Sequence, residues 1–243
     1  MEFPFQAVYH VTTLHHWKDI AREQLELLFA NQRLQKLTVT IAQTPKADLP
    51  FLQNLFLQAM ERRPALKVLG HYCALAEFEH TAMRLVDQVA RQEDMPVLYF
   101  HMKGVSHSPP DASCEAWRRH LNAFVAEADR WSEFLAKMPY DVCGPLLTSD
   151  PDHGFRYFAG NFWMARAAYV RELPPYVEFL EHPGVVALPP GDRHLAEVAV
   201  NRTNQMRAYA TDQVKLSHSN LLSFLANLPE AQPRSHESPQ AGG

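Results

Sequence analysis

Apolar and polar positions alternate between two rhythms along the first hundred residues. Phe5-Gln-Ala-Val-Tyr-His10 is a compact apolar run and predicts a strand ending on His10. Trp17, Ile20, Leu25 and Leu28 fall near helical spacing, with Thr12 or Thr13 as the expected cap. Leu37-Thr-Val-Thr-Ile41 alternates and predicts a second strand. Phe51 to Glu61 predicts a second helix, stopped by Pro64, and Leu66-Lys-Val-Leu-Gly70 a third short strand with a glycine at its end. Phe78 to Ala90 predicts a third helix with Met83, Val86 and Val89 on its inner face. Pro96-Val-Leu-Tyr-Phe-His101 has no charge before its histidine and predicts an interior strand, apolar on both faces.

The order βαβαβαβ predicts an α/β fold, a mostly parallel central sheet with helices on both faces. The second half is less regular. A polar loop over Ser106 to Ser113 precedes one long helix from Ala116 to Met138. Strands are expected at Tyr140 to Leu147, Phe155 to Met164 and Met206 to Tyr209, with helices at Ala165 to Leu173 and Arg193 to Asn201. Residues 1–230 read as a single domain, and 231–243, rich in Pro, Ser, Gln and Gly, as a disordered tail.

Composition narrows the function. The 243 residues are 47% hydrophobic and 21% charged with a net charge of −4, so no nucleic acid partner is expected. Three cysteines without a CxxC pair support neither a zinc knuckle nor a disulfide framework. No apolar run reaches the ~18 residues of a transmembrane segment, and the first residues do not read as a signal peptide. The expectation is a cytoplasmic protein.

The candidate chemistry lies at strand ends, where ligands of parallel sheets sit. His10, His71 (after Gly70), His101, Lys103 and Gly104 all fall there. Imidazole and ammonium donors at one rim suit a phosphate or diphosphate. Walker, GxGxxG and GxSxG motifs are absent from the sequence. A second candidate is Phe158-Ala-Gly-Asn-Phe-Trp-Met-Ala-Arg166: Gly160 permits close approach of a ligand, Asn161 offers a donor and an acceptor, and Trp163 is a candidate sugar-stacking platform.

Taken together, Tyr9-His10 with Trp17, Phe78-Glu79, Leu98-Tyr-Phe-His-Met-Lys-Gly104, Trp117-Arg118, Gly160-Asn-Phe-Trp163 and Arg193-His-Leu-Ala-Glu197 resemble a bacterial glycosyltransferase family related to rhamnan-synthesis-type polysaccharide proteins. The pieces span roughly residues 7 to 200, and His-x-Lys-Gly and Gly-Asn-Phe-Trp are the specific ones. Met102 stands where that family usually has Thr, and Met164 where it usually has a second Trp.

The resemblance implies a GT-A-like fold, with residues 1–105 as a nucleotide-binding half and 106–230 as an acceptor half. It implies a nucleotide-sugar donor and a glycan or lipid-linked acceptor, in cell-surface polysaccharide synthesis. His10, His71, His101, Lys103 and Gly104 would bind the donor; Asn161 and Trp163 would bind the acceptor. Glu197 would be the base, with Glu79 as the alternative. GT-A enzymes commonly hold magnesium or manganese (Mg or Mn) with Asp-x-Asp at a central strand end. Here His101-Met-Lys103 takes that place, so Lys103 is expected to supply the positive charge, with His101 bonding the same phosphates or orienting Lys103, and no metal ligand is assigned; Asp150 and Asp152 are the reserve pair. Two competing readings are a non-catalytic nucleotide- or sugar-binding protein that kept the fold, and a nucleotidyl or phosphoryl transferase.

Overall fold

The computed structural model describes residues 3–44, 48–149, 155–184, 188–192, 194–203 and 205–213. The acidic turn with Asp150 and Asp152, Arg193 and the expected tail 231–243 lie outside these.

The first half follows the predicted rhythm. Its elements are β1 (Phe5–Thr12), α1 (Trp17–Ala30), β2 (Leu34–Ala42), α2 (Leu49–Arg62), β3 (Lys67–Cys73), α3 (His80–Gln92) and β4 (Val97–His101). The strands pair in parallel in the order β3-β2-β1-β4. The second half contributes α4 (Ala112–Ala126), α5 (Ala128–Lys137), β5 (Val142–Ser149), β6 (Arg156–Phe158), β7 (Trp163–Ala165), α6 (Ala167–Glu172), α7 (Tyr176–Glu181), α8 (Leu195–Val198) and β8 (Ala208–Gln213). β7 joins β4 antiparallel; β5 pairs antiparallel with β7 and β6, and parallel with β8.

β4 is an interior strand, as its uncharged run predicts. Val97, Leu98, Tyr99 and Phe100 have no exposed surface. Leu98 and Phe100 face a core built with α1 and α4; Val97 and Tyr99 face one built with α3 and Trp163. Tyr9 stacks on Phe100 with ring centroids 4.4 Å apart. The second half is pinned to α3 by Asp87, whose carboxylate accepts from Tyr176 N at 2.6 Å and Arg202 Nη2 at 2.8 Å. No helix among the described residues is long and apolar enough to cross a membrane.

Four expectations are corrected. Neither Thr12 nor Thr13 caps α1: His16 stands at the N-cap, while the Thr13 hydroxyl donates to Ala42 O and accepts from Thr44 N. β3 runs on to Cys73, so Gly70 is inside the strand rather than at its end. The long helix is two, broken at Glu127. Asn31 enters the break, donating to Val125 O at 3.0 Å and accepting from Asp129 N at 2.9 Å. The helical period runs on through the break because α4 and α5 pack on the same core. The strand expected over 155–164 is β6 and β7 joined by a turn, with Gly160 at φ 86° and Asn161 at φ 55°.

Candidate functional site

A cleft of about 560 Å³ opens where β1 and β4 end. Its walls come from His10, Thr12 and Leu14 after β1, from Leu75, Phe78 and Glu79 between β3 and α3, and from the loop that follows His101. Cys114 and Trp117 of α4 and His194 and Glu197 around the start of α8 close it. A second cavity, about 490 Å³, lies at the opposite ends of β2 and β3. There Arg63 is spent on the carbonyls of Asn31, Gln32 and Leu34, which leaves it a structural clamp.

Parallel register places four polar side chains in one row across the sheet. His10 lies opposite both Thr40 and His101, and Thr40 lies opposite His71. His10 is 3% exposed; its Nδ1 is 2.7 Å from the Thr40 hydroxyl and its Nε2 3.3 Å from that of Thr12. Burial lowers its pKa from 6.5 to about 4, against the pull of Glu79 and with a push from His101. His71 is corrected. It shares the row but sits on the edge strand, with β2 and β1 between it and His101, and it does not line the cleft.

His101 is braced within the protein. Its Nε2 donates to Gly160 O at 2.8 Å, and its Nδ1 lies 3.4 Å from Glu79 Oε1. Glu79 also accepts from Tyr99 Oη at 2.5 Å and Asn161 Nδ2 at 2.7 Å. Burial pushes the Glu79 pKa up, but His101, His10 and the two hydrogen bonds together hold it below the ordinary value. A carboxylate stabilised in this way is a poor proton acceptor. Both ring nitrogens of His101 thus face protein groups, while the residue itself stands in the lining of the cleft. The glutamate ahead of α3 ties the end of β4 to the turn between β6 and β7.

Asn161 and Trp163 are corrected too. Asn161 is buried, with its amide shared between Glu79 and Ala196 O and its carbonyl accepting from Trp163 Nε1 at 2.9 Å. Trp163 is 1% exposed and packs on Tyr99, so it presents no face to a sugar. Gly160 admits a helix instead of a ligand: a Cβ there would lie 2.6 Å from Leu121 Cδ1. The sequence signal was real, a break in an aromatic strand, but what the break accommodates is α4.

Lys103 and Glu197 do line the cleft. The Lys103 ammonium sits 3.8 Å from the Trp117 ring centroid, and among the described residues no carboxylate pairs with it. Gly104 follows at φ 84°, a conformation that suits glycine, and seats the loop against Cys114 and Arg118. Glu197 is in the first turn of α8 and half-buried. Nearby His194 Nδ1 is 2.9 Å from Asp192 Oδ1. Sequence reading put Trp117 on a core face and Phe78 inside a helix; neither periodicity revealed a cleft.

A model of one protein family, a domain of unknown function (DUF8361), matches residues 5–218. The chain belongs to the DUF8361 family. No curated protein matches it by sequence. Solved structures similar to this DUF8361 chain include TarS 1-349 of S. aureus, at 9% identity, covering 87% of this chain and 59% of that one with a TM-score of 0.47. The mannosyltransferase PcManGT from Pyrobaculum calidifontis, in complex with GDP-Man and Mn2+, is 11% identical over 87% of this chain and 56% of its own, with a TM-score of 0.45. UTP-bound UGPase from Acinetobacter baumannii is 10% identical over 86% and 87%, with a TM-score of 0.39. The DUF8361 chain thus spans less than two thirds of the length of the first two.

The divalent metal that the sequence resemblance implies does not fit the side chains at the end of β4. His101 is engaged at both nitrogens, Met102 is buried and Lys103 is an ammonium, whereas magnesium and manganese want oxygen ligands. Among the described residues no group of three or more His, Cys, Asp or Glu side chains is placed to hold a metal.

The burial of His10 has a measurable consequence. Between pH 6.5 and about 4 the unfolded chain binds a proton there that the folded chain does not. Stability contributed by the neutral ring is complete above 6.5 and falls as the pH drops through that window, by up to about 1.4 kcal/mol per pH unit. Denaturant melts of the wild type and His10→Gln from pH 7 to 4 are expected to show a shallower dependence in the variant. Equal slopes would contradict a neutral buried His10.

Proposed function

We propose that this chain moves a sugar from a nucleoside-diphosphate donor to a glycan or lipid-linked acceptor, in the manner of a GT-A glycosyltransferase of cell-surface polysaccharide synthesis. The observation that carries the reading is the pairing, in one cleft, of an ammonium without a carboxylate partner among the described residues (Lys103) and a half-buried carboxylate (Glu197). Transfer breaks the bond between the sugar's anomeric carbon and the diphosphate oxygen and forms one to the acceptor oxygen. Lys103 meets the negative charge that develops on the leaving diphosphate. Glu197 takes the proton from the attacking hydroxyl. Gly104 lets the loop turn beside the phosphates, and His10, held by Thr40, lies in the wall of the donor site. The misfit of a metal at the end of β4 favours one other reading, a binding protein that kept the cleft without turnover.

The test is a panel of nucleoside diphosphates and their sugar conjugates, read first by melting temperature. A ligand at about a hundred times its dissociation constant stabilises the fold by about 2.7 kcal/mol, a rise of roughly 5–10 °C for a chain of this size. Release of the diphosphate on adding glycan acceptors then separates enzyme from binder. Millimolar ligands that leave the melting temperature unmoved would sink both readings.

A further inference from the structure

Phe78 is an aromatic side chain that the fold does not bury. The residue is 48% exposed, in the wall of the cleft. The backbone beneath it is strained, at φ 46° and ψ −132°, a region that glycine enters freely and phenylalanine does not. The turn itself asks for no ring. It is closed by Phe78 N donating to Leu75 O at 3.2 Å, and the next residue, Glu79, anchors it inward through Tyr99, Asn161 and His101. Glycine at 78 would make the same turn without strain and without presenting a ring to water. An exposed ring kept at such a position is accounted for by something that covers it.

The cleft indicates what that is. The side chains contributed from the β1 and β3 ends include Leu14, Leu75 and Phe78 together with His10, Thr12 and Glu79; those from the β4 end include Lys103 and His107. One part therefore offers an exposed π face with two leucines, and another the Lys103 ammonium. A nucleoside diphosphate divides in the same way, with a planar base at one end and two phosphates at the other.

We propose that the Phe78 ring is the platform on which the nucleobase of a nucleoside diphosphate stacks. This deepens the donor reading given above and rests on it. Its signature is a pair of effects of opposite sign. Phe78→Gly relieves the strained backbone, so the melting temperature without ligand holds or rises. The same change weakens nucleoside binding by about 5- to 150-fold, the range that ~1–3 kcal/mol of base–aromatic stacking converts to. Phe78→Tyr, which keeps the face, retains binding.

The experiment measures binding of four probes to wild type, Phe78→Gly, Phe78→Tyr and Lys103→Ala: a nucleoside, its diphosphate, inorganic pyrophosphate and a free monosaccharide. The expected result is that Phe78→Gly loses nucleoside and nucleoside diphosphate but keeps pyrophosphate. Lys103→Ala is expected to do the reverse, keeping the nucleoside. If wild type binds the diphosphate and Phe78→Gly binds the nucleoside as tightly, the platform is wrong and the donor site stands. If Phe78→Gly loses the monosaccharide and keeps the nucleoside, the ring serves a sugar and the base assignment is overturned. Wild type binding neither nucleoside nor diphosphate removes both the platform and the reading beneath it.

Discussion

Glu197→Gln is expected to lower sugar transfer by about 10²–10⁴-fold, the typical contribution of a positioned general base. The amide keeps the size of the side chain and loses the proton acceptor. Donor binding should stay, because the change touches the acceptor's proton and not the phosphates. The check is a single preparation assayed twice, for transfer and for the melting shift with a nucleoside diphosphate. Loss of rate with an intact shift supports the role. Full turnover by Glu197→Gln would remove it and direct attention to His194, which lines the same cleft with Asp192 behind it. Glu79 does not inherit the role, since its carboxylate is already committed to Tyr99, Asn161 and His101.

Lys103→Ala is expected to cost about 10²–10³-fold in turnover, the loss of one charge-assisted donor in a protected site. Lys103→Arg should not restore it, because a planar fork does not occupy the place of a compact ammonium resting on Trp117. The companion measurement adds EDTA to the wild type. Transfer is expected to survive, since the side chains at the end of β4 do not suit a hard cation. If EDTA abolishes transfer, manganese restores it and Lys103→Ala works normally, the proposed division of labour is wrong, and Asp150 and Asp152 are the next residues to replace.

The parallel half of the fold was legible because both of its rhythms are local. The helical spacing of Met83, Val86 and Val89 names a buried face without any knowledge of what covers it, and the uncharged run before His101 names an interior strand. What stayed hidden is tertiary. The break at Glu127 is made by Asn31, nearly a hundred positions earlier, and leaves the apolar period untouched. The site divides along the same line. Lys103 and Gly104 were placed by the strand end before them and Glu197 by the resemblance alone, and the cleft contains all three. Asn161, Trp163 and His101 were read as ligand contacts because polar or amphipathic groups at a sheet end look alike in sequence. Their partners, Glu79 and Gly160, lie 20 or more residues from at least one member of the set they join.

The row of His71, Thr40, His10 and His101 also bears on how this chain can change length. Side chains alternate between the two faces of a strand, so removing one residue within β1 would turn His10 toward the face that Tyr9 now shares with Phe100, and would expel Tyr9 from its stack. A cleft whose walls are set by sheet register tolerates no single-residue deletion in β1 or β4. The connections beyond those strands carry no such parity. Variation in length among descendants of this sequence should therefore collect in the loops around the cleft, where it reshapes the walls, and be absent from the strands that hold the row in line.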